Sequence, residues 1–500
     1  MTTILVLLLT VPVAAALAAF WLPPRAGQAV TAVTGVASFA AVIALVPAAA
    51  HHDVTLGSYL RVDALSVVFM LATSFLYGAV SIYLIGYLKQ GDDARTRPGQ
   101  ARYGHRLLAG INIFAWSMLA APMMNSLALL WVAVEVTTVV SALLVALEGT
   151  DGAAEAAWKY VLIASAGLGV ALLGTIFAYY AGEQVLGQSY ALGFVPLLHA
   201  AAHLPPAAVR LMFVLAVLGF GTKVGLFPVH TWLPDAHSEA PAPVSALLSG
   251  SLLAVSFYAI LRYYQVAQAA LGTGFPRAVL LTFGVATLAL AALSLLDQRD
   301  LKRLFAYSSV EHMGILAIGV SFGVPVALVG VLLHVLAHAA AKGNAFMGAG
   351  VMLRKLAVKH VSVVRGDGQA GGGGLDLLPW SGPLLLVTVL ALSALPPFGV
   401  FRSEFLIVAG GFSSSHDAVA AVLVVLVTVA FFGLSATANA ALLGPAPDRP
   451  GAALARGEPS AWMVVPVLAG LAALLVLGLH PPAHLTELLT RGAAELRGRS

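Results

Sequence analysis

The chain has 500 residues, 60% of them hydrophobic and only 10% charged, with a mean hydropathy of +0.93. A soluble domain carries about 25% charged residues, so this composition selects lipid as the solvent. The net charge of +4 gives no reason to expect a nucleic-acid partner, no Gly-rich phosphate loop follows a strand, and the absence of cysteine excludes disulfides and thiolate-held iron–sulfur clusters.

Residues 3–21 are apolar and superficially resemble a signal peptide, but no Lys or Arg precedes them and Arg25 follows. A signal peptide has the opposite arrangement, so the segment is expected to be the first membrane helix, entered from outside. Apolar runs long enough to cross a membrane then recur along the chain. They predict fourteen spans, at about 3–22, 27–49, 61–88, 107–125, 127–148, 155–181, 207–230, 241–265, 276–297, 303–322, 325–353, 380–411, 417–443 and 461–480. Charge supports the alternation. Lys89, Arg95, Arg97, Arg102 and Arg106 follow span three, and Arg299, Lys302 and Arg303 follow span nine. Arg354, Lys355, Lys359 and Arg365 follow span eleven, and Arg449 and Arg456 follow span thirteen. The opposite loops hold only scattered Arg61, Arg210 and Arg277. The positive-inside rule therefore predicts a multi-pass protein of the cell inner (plasma) membrane with both termini on the outer side. Two stretches, 366–374 and 444–459, read as linkers, and no long extra helix is expected after span fourteen.

Two spans are interrupted. Span seven breaks at Gly225-Leu-Phe-Pro228, and span twelve at Leu395-Pro396-Pro397-Phe-Gly. Proline and glycine inside apolar runs, twice beside ionisable groups and about five spans apart, point to inverted repeats with a site at the midplane. The expected fold is an all-α polytopic membrane protein of about fourteen helices with two five-helix inverted repeats. Its parts are the N-terminal helices (1–106), the first repeat (107–268), the second (269–443) and a C-terminal linker and helix (444–500).

Charges inside the membrane cost about 2.5–3.5 kcal/mol each on the insertion scale, so each calls for a reason. Glu135 lies in the middle of span five, apolar on both sides, and reads as a functional carboxylate. Lys159, between Trp158 and Tyr160 near the start of span six, either serves the same function or snorkels to the interface. Lys223 is embedded in apolar sequence; burial and a partner carboxylate oppose one another in setting its charge, and Glu135 is the natural partner. His334, His338 and Lys342 fall at i, i+4 and i+8, on one helix face. Histidines at that spacing can bind zinc, but no Glu follows the first and no third ligand is evident, so a proton relay is the better reading. Glu404 follows the second break with Arg402, which either neutralises it or leaves it to end a proton path. Asp300, Lys302 and Arg303 read as interfacial, while Glu311 and His312 are candidates for a cytoplasmic entry. His230, Asp235, His237 and Glu239 beyond Pro228 either feed protons or satisfy unwound backbone.

The stretch Phe220-Gly-Thr-Lys223-Val-Gly-Leu-Phe-Pro-Val-His-Thr-Trp-Leu-Pro-Asp-Ala-His closely resembles the signature of the antiporter-like subunits of complex I, Mrp-type cation/proton antiporters and membrane-bound [NiFe] hydrogenases. His334-Val-Leu-Ala-His338-Ala-Ala-Ala-Lys342 is a second hallmark. Trp131-Val-Ala-Val-Glu135, Lys302-Arg-Leu-Phe-Ala-Tyr-Ser-Ser-Val-Glu311-His312 and Pro396-Pro-Phe-Gly-Val-Phe-Arg402-Ser-Glu404 look most like the hydrogenase-4 component F branch. The resemblance implies a Glu135–Lys223 pair, a central axis continued by the span-eleven stripe and closed at Glu404, and no cofactor in this chain. It also implies membrane and peripheral partner subunits that carry out the redox chemistry while protons move here, so the chain itself holds no catalytic redox centre. One departure matters: relatives often place a lysine or histidine in span eight, and Ser251-Leu-Leu-Ala-Val-Ser256-Phe-Tyr258 has none. The link between the two halves is then left to water, Ser256, Tyr258 or another helix. The alternative functions are a subunit of a secondary Na⁺/H⁺ antiporter of the Mrp type and a membrane partner of an inorganic-carbon uptake complex.

Overall fold

The computed structural model describes residues 1–89, 98–356, 373–443 and 455–498. Arg95, Arg97, Lys359, Arg365, Arg449 and most of the two predicted linkers lie outside them. The chain is helical almost throughout. It begins with α1 (Thr2–Trp21), α2 (Pro24–Ala49), a small hairpin of β1 (Val54–Leu56) and β2 (Leu60–Val62), then α3 (Ala64–Lys89). There follow α4 (Pro98–Ala120), α5 (Leu127–Val145), α6 (Asp151–Leu186), α7 (Phe194–His199), α8 (Pro206–Val224), α9 (Trp232–Glu239), α10 (Ala242–Leu247) and α11 (Leu253–Leu271). The second half holds α12 (Gly274–Leu295), α13 (Leu301–Phe322), α14 (Pro325–Leu356), α15 (Gly374–Leu377), α16 (Ser381–Leu392), α17 (Gly399–Ser413), α18 (Asp417–Leu443), α19 (Ala461–Leu479) and α20 (Ala483–Leu496).

Among the described residues, thirteen helices are long and apolar enough to cross a membrane. The predicted twelfth span is the exception: it is two half-helices, α16 and α17, neither long enough alone. The hairpin, antiparallel with Val54 opposite Val62, is a small addition to the all-α expectation. It takes up residues 60–62, so the third span starts at Ala64 rather than 61.

Both breaks are built the same way. At the end of α8, Gly225 turns left-handed (φ 85°) and the Leu226 N–H reaches back to the Gly221 carbonyl at 2.8 Å. Beyond α16, Ala394 takes the same place (φ 54°), and the Leu395 N–H reaches the Leu390 carbonyl at 3.2 Å. Each is a bond from i to i−5 that recovers a carbonyl left over at a helix end. A cis X–Pro bond follows in each: Phe227–Pro228 and Pro396–Pro397.

The core is a column. α14 has 32 residues, about 48 Å at 1.5 Å per residue, and is packed by α3, α10, α13, α16, α17 and α19. α3, α13, α14 and the continuous segment 242–271 are almost wholly enclosed, whereas α1, α12 and α18 turn apolar side chains such as Leu17, Leu293 and Phe432 outward, as lipid contact requires. Glu311, His312, His334, His338 and Lys342 therefore lie on helices that lipid touches least, whereas Glu135 and Lys159 lie on α5 and α6, which are only partly enclosed.

Candidate functional site

Lys223 is completely buried in the last turn of α8. Its ammonium does not meet Glu135. It donates to the Val134 carbonyl (3.1 Å), to Thr138 Oγ1 (2.9 Å) and to Thr137 Oγ1, all on α5. Glu135, half-buried on the same helix, accepts from Ser165 Oγ of α6 at 3.3 Å, and its other oxygen is buried without a partner. The expected Glu135–Lys223 pair is thus a near neighbour rather than an ion pair, because the α5 turn presents hydroxyls, not the carboxylate, to α8. Three acceptors match the three donors of an ammonium.

Lys342 repeats the pattern on α14. It is completely buried and donates to the Phe305 carbonyl (3.0 Å) and to Ser308 Oγ on α13. In both cases the lysine holds a carbonyl and the hydroxyl three residues further on, one helical turn away.

One turn before Lys342 the imidazoles gather. His312 of α13 faces His334 of α14, with Nδ1 and Nε2 3.0 Å apart. His334 Nδ1 lies 2.9 Å from Ser403 Oγ of α17, which itself donates to the Val400 carbonyl at 2.8 Å. His312 Nδ1 is 3.7 Å from Glu404 Oε1. His338 packs beside both rings, and neither of its nitrogens has a hydrogen-bond partner. Glu311 and Glu404 share a narrow crevice with Ser393. His312, expected with Glu311 at an entry, belongs to this buried centre instead. Arg402 does not neutralise Glu404: it donates to the Gly478 and Leu479 carbonyls at the end of α19.

At one membrane face a cavity of about 440 Å³ is lined by Glu155, Lys159, Asp235, Glu239, Arg299 and Arg303. Lys159 is 41% exposed there, 2.5 Å from Glu155 and 3.7 Å from Asp235, so it stands in an open mouth rather than among the buried lysines and histidines. Arg303 pairs with Asp235 at 2.9 Å. Lys302, expected at the interface, is buried and donates to the Ser238 and Ala240 carbonyls, closing the end of α9. His237 is fully buried between Trp232 and Phe346; Nδ1 bonds the Leu233 carbonyl and Nε2 has no partner. His230 is buried at the break with Nδ1 unpartnered.

The two residues named for the span-eight link make other bonds. Ser256 bonds back to the Leu252 carbonyl, and Tyr258 accepts from Arg262 and donates to the Pro122 carbonyl at the opposite membrane face. Instead, a single π-helical turn at 248–252 brings Ser249 to Ser309 of α13 (2.6 Å) and Ser251 to Thr73 of α3 (2.7 Å). Such bulges are frequent at functional sites. Sequence reading also missed the ion pair of Asp63 with Arg262 (2.7 Å), because 199 residues separate them.

The family described as NADH:quinone oxidoreductase/Mrp antiporter, TM, matches residues 124–431. The chain is 36% identical over 381 residues to a hydrogenase-4 component F homolog of Methylacidiphilum infernorum, covering 74% of this chain and 76% of that one. It is 34% identical over 361 residues to NADH-quinone oxidoreductase subunit N of Desulforudis audaxviator, covering 70% and 69%. Among solved structures, a chain of the Mrp complex from Dietzia sp. DQ12-45-1b superposes with a TM-score of 0.83 at 20% identity, covering 99% of this chain and 96% of that one. A chain of respiratory complex I from Thermus thermophilus gives 0.80 at 23% identity, covering 98% and 99%.

Proposed function

Because the chain belongs to the NADH:quinone oxidoreductase/Mrp antiporter transmembrane family, we propose that it is the proton-translocating membrane subunit of a multi-subunit redox complex. Its place is the inner (plasma) membrane with both termini outside, and residues 107–268 and 269–443 act as paired repeats. The matching bonds at the two breaks support that division. Relatives more than 30% identical are named as hydrogenase-4 and NADH-quinone oxidoreductase components, which favours electron-carrying partner subunits.

The observation that carries the reading is the housing of Lys223 and Lys342. A carboxylate partner would hold each ammonium in its charged form. A hydroxyl accepts from the ammonium, then turns to donate to the neutral amine, so a proton can leave without stranding a buried polar group. Glu135, close but unbonded to the lysine, is placed to set the charge of Lys223 by small movements. The proposed path enters at the Lys159–Asp235 mouth and passes His230, His237 and Lys223. It then crosses to Lys342, runs through His338, His334 and His312, and ends at Glu404 and Glu311. The test is proton pumping by the complex in vesicles, measured per electron transferred. Lys223→Ala and Lys342→Ala should each abolish most of it; full pumping in either variant refutes the path. A Na⁺/H⁺ exchange subunit, the reading closest to the Mrp likeness, would show ion exchange without any electron donor.

A further inference from the structure

We propose that His312, His334 and Glu404 form a binding site for a divalent transition-metal ion of Zn²⁺ type. One ligand atom from each residue lies within 4.8 Å of the others, and all three side chains are buried. His312 Nδ1 is 3.0 Å from His334 Nε2 and 3.7 Å from Glu404 Oε1. Ligand atoms about 2.0–2.1 Å from a tetrahedral zinc ion lie about 3.4 Å apart, so the observed spacings bracket what the ion needs.

The second observation is the hydrogen bonding around the cluster. Ser403 Oγ gives its proton to the Val400 carbonyl, so at His334 it accepts, and Nδ1 is the protonated nitrogen. That leaves the Nε2 lone pair of His334 aimed at His312 and Glu404. Metal-binding histidines are held in this way, the far N–H fixed by a neighbour and the near nitrogen free. Other ring nitrogens also lack partners: His312 Nε2 and both nitrogens of His338, on fully buried rings, make no hydrogen bond. A buried polar group without a partner costs about 1–3 kcal/mol, and an ion at the cluster would take up one such nitrogen of His338. His338 packs against His312, ring centroids 5.2 Å apart, and is the nearest further imidazole to the three ligands. Two imidazoles and one carboxylate suit borderline ions such as Zn²⁺, Ni²⁺ and Cu²⁺ over Mg²⁺ or Ca²⁺. Glu311 shares the crevice with Glu404, and Lys342 lies on the same face of α14 as His334 and His338.

Occupancy would take up the lone pairs that the relay uses, so Zn²⁺ should arrest proton transfer; that consequence rests on the proposed function, whereas binding does not. The experiment uses the purified full chain, stripped with chelator and titrated with Zn²⁺. The exposed His51 and His52 are replaced in every protein to remove a surface site. One ion per chain is expected, with X-ray absorption reporting only N and O ligands. Ser403→Ala should weaken it about 10–100-fold, and His312→Ala and Glu404→Gln more. Failure of the parent to hold one ion, or equal affinity in Glu404→Gln and Ser403→Ala proteins that remain monodisperse, overturns the site. Binding at these residues with proton pumping unaffected by Zn²⁺ would uphold the site and remove His312 and His334 from the proton path.

Discussion

Glu495 offers a test that is independent of transport. α20 packs against α3 through buried Leu488, Leu489 and Leu496, and this carboxylate ties it to the start of α3 by accepting the Ala64 and Leu65 N–H groups at 3.2 and 3.0 Å. These are two of the amides that a helix start leaves unpaired. Burial and the charge of Asp63 raise Glu495 from 4.5 to about 7, against the pull of Arg262, the Leu65 N–H and Arg491. At 1.36 kcal/mol per pH unit the difference corresponds to about 3 kcal/mol. The sign follows from proton counting. Between pH 4.5 and 7 docked α20 keeps a proton that the detached helix has lost. Docking is therefore firmest below 4.5, weakens as pH rises through 7, and is flat beyond. Glu495→Gln stays neutral throughout but supplies one acceptor oxygen instead of two, a constant cost of about 1 kcal/mol. The two proteins should cross: the variant about 1 kcal/mol weaker near pH 4.5 and about 2 kcal/mol firmer at pH 8. Hydrogen exchange over residues 483–496 in detergent, corrected for the intrinsic rate at each pH, measures the opening free energy. Parallel curves for the two proteins would refute the reasoning.

Three further predictions concern the helices. Thr137→Val removes one of the three acceptors of Lys223 while keeping the side-chain shape. A hydrogen bond to a buried charge is worth about 1.5–3 kcal/mol, so pumping should slow about tenfold to a hundredfold in vesicles; an unchanged rate counts against the lysine as carrier. Ala394→Gly relieves a left-handed residue (φ 54°) at the second break and should raise the unfolding midpoint, with a net gain of about 0.5–1 kcal/mol. Gly219→Ala would set a Cβ 2.4 Å from the Ala171 backbone nitrogen, forcing α6 and α8 apart at a cost of about 1–3 kcal/mol. Gly169→Ala, which meets nothing within 4 Å, is the control and should show no loss of thermal stability.

The spans were legible because lipid demands long apolar runs, and the breaks because Pro228 and Pro397 interrupt them. The His334, His338 and Lys342 stripe was legible because 4-residue spacing stays on one helix face whatever the helix packs against. Contacts between helices were not legible. The His312–His334 contact depends on how α13 and α14 are rotated, and no local pattern encodes that. Arg402 adjoins Glu404 in sequence, but residues two apart on a helix point in different directions, so the arginine reaches the end of α19. Lys302 sits among interfacial charges in the sequence; only the packing of α13 against α9 shows that it closes a helix end. Glu135 and Lys223 were rightly drawn to the same place, but which α5 groups meet the lysine is a matter of a fraction of a turn.

The missing span-eight lysine bears on how the two halves communicate. A charged residue in that span would be a third site able to store a proton. Ser249 and Ser309 store none: a hydroxyl pair passes a proton only when a neighbour supplies one and another accepts it. Ser309 Oγ and the Lys342 ammonium both donate to the Phe305 carbonyl, at 2.9 and 3.0 Å, so the bridge ends beside the second lysine. The π-helical turn is what makes this reach possible, because the wider turn at 248–252 turns Ser249 toward α13 and Ser251 toward α3. With a neutral bridge, the proposed path beyond Lys223 can hold charge at Lys342 and at the imidazole–carboxylate cluster, but not at the Ser249–Ser309 contact between the halves. On the proposed path, control of translocation then falls to the groups that set the charge of Lys223 and Lys342, Glu135 and Glu311, rather than to the connection between them.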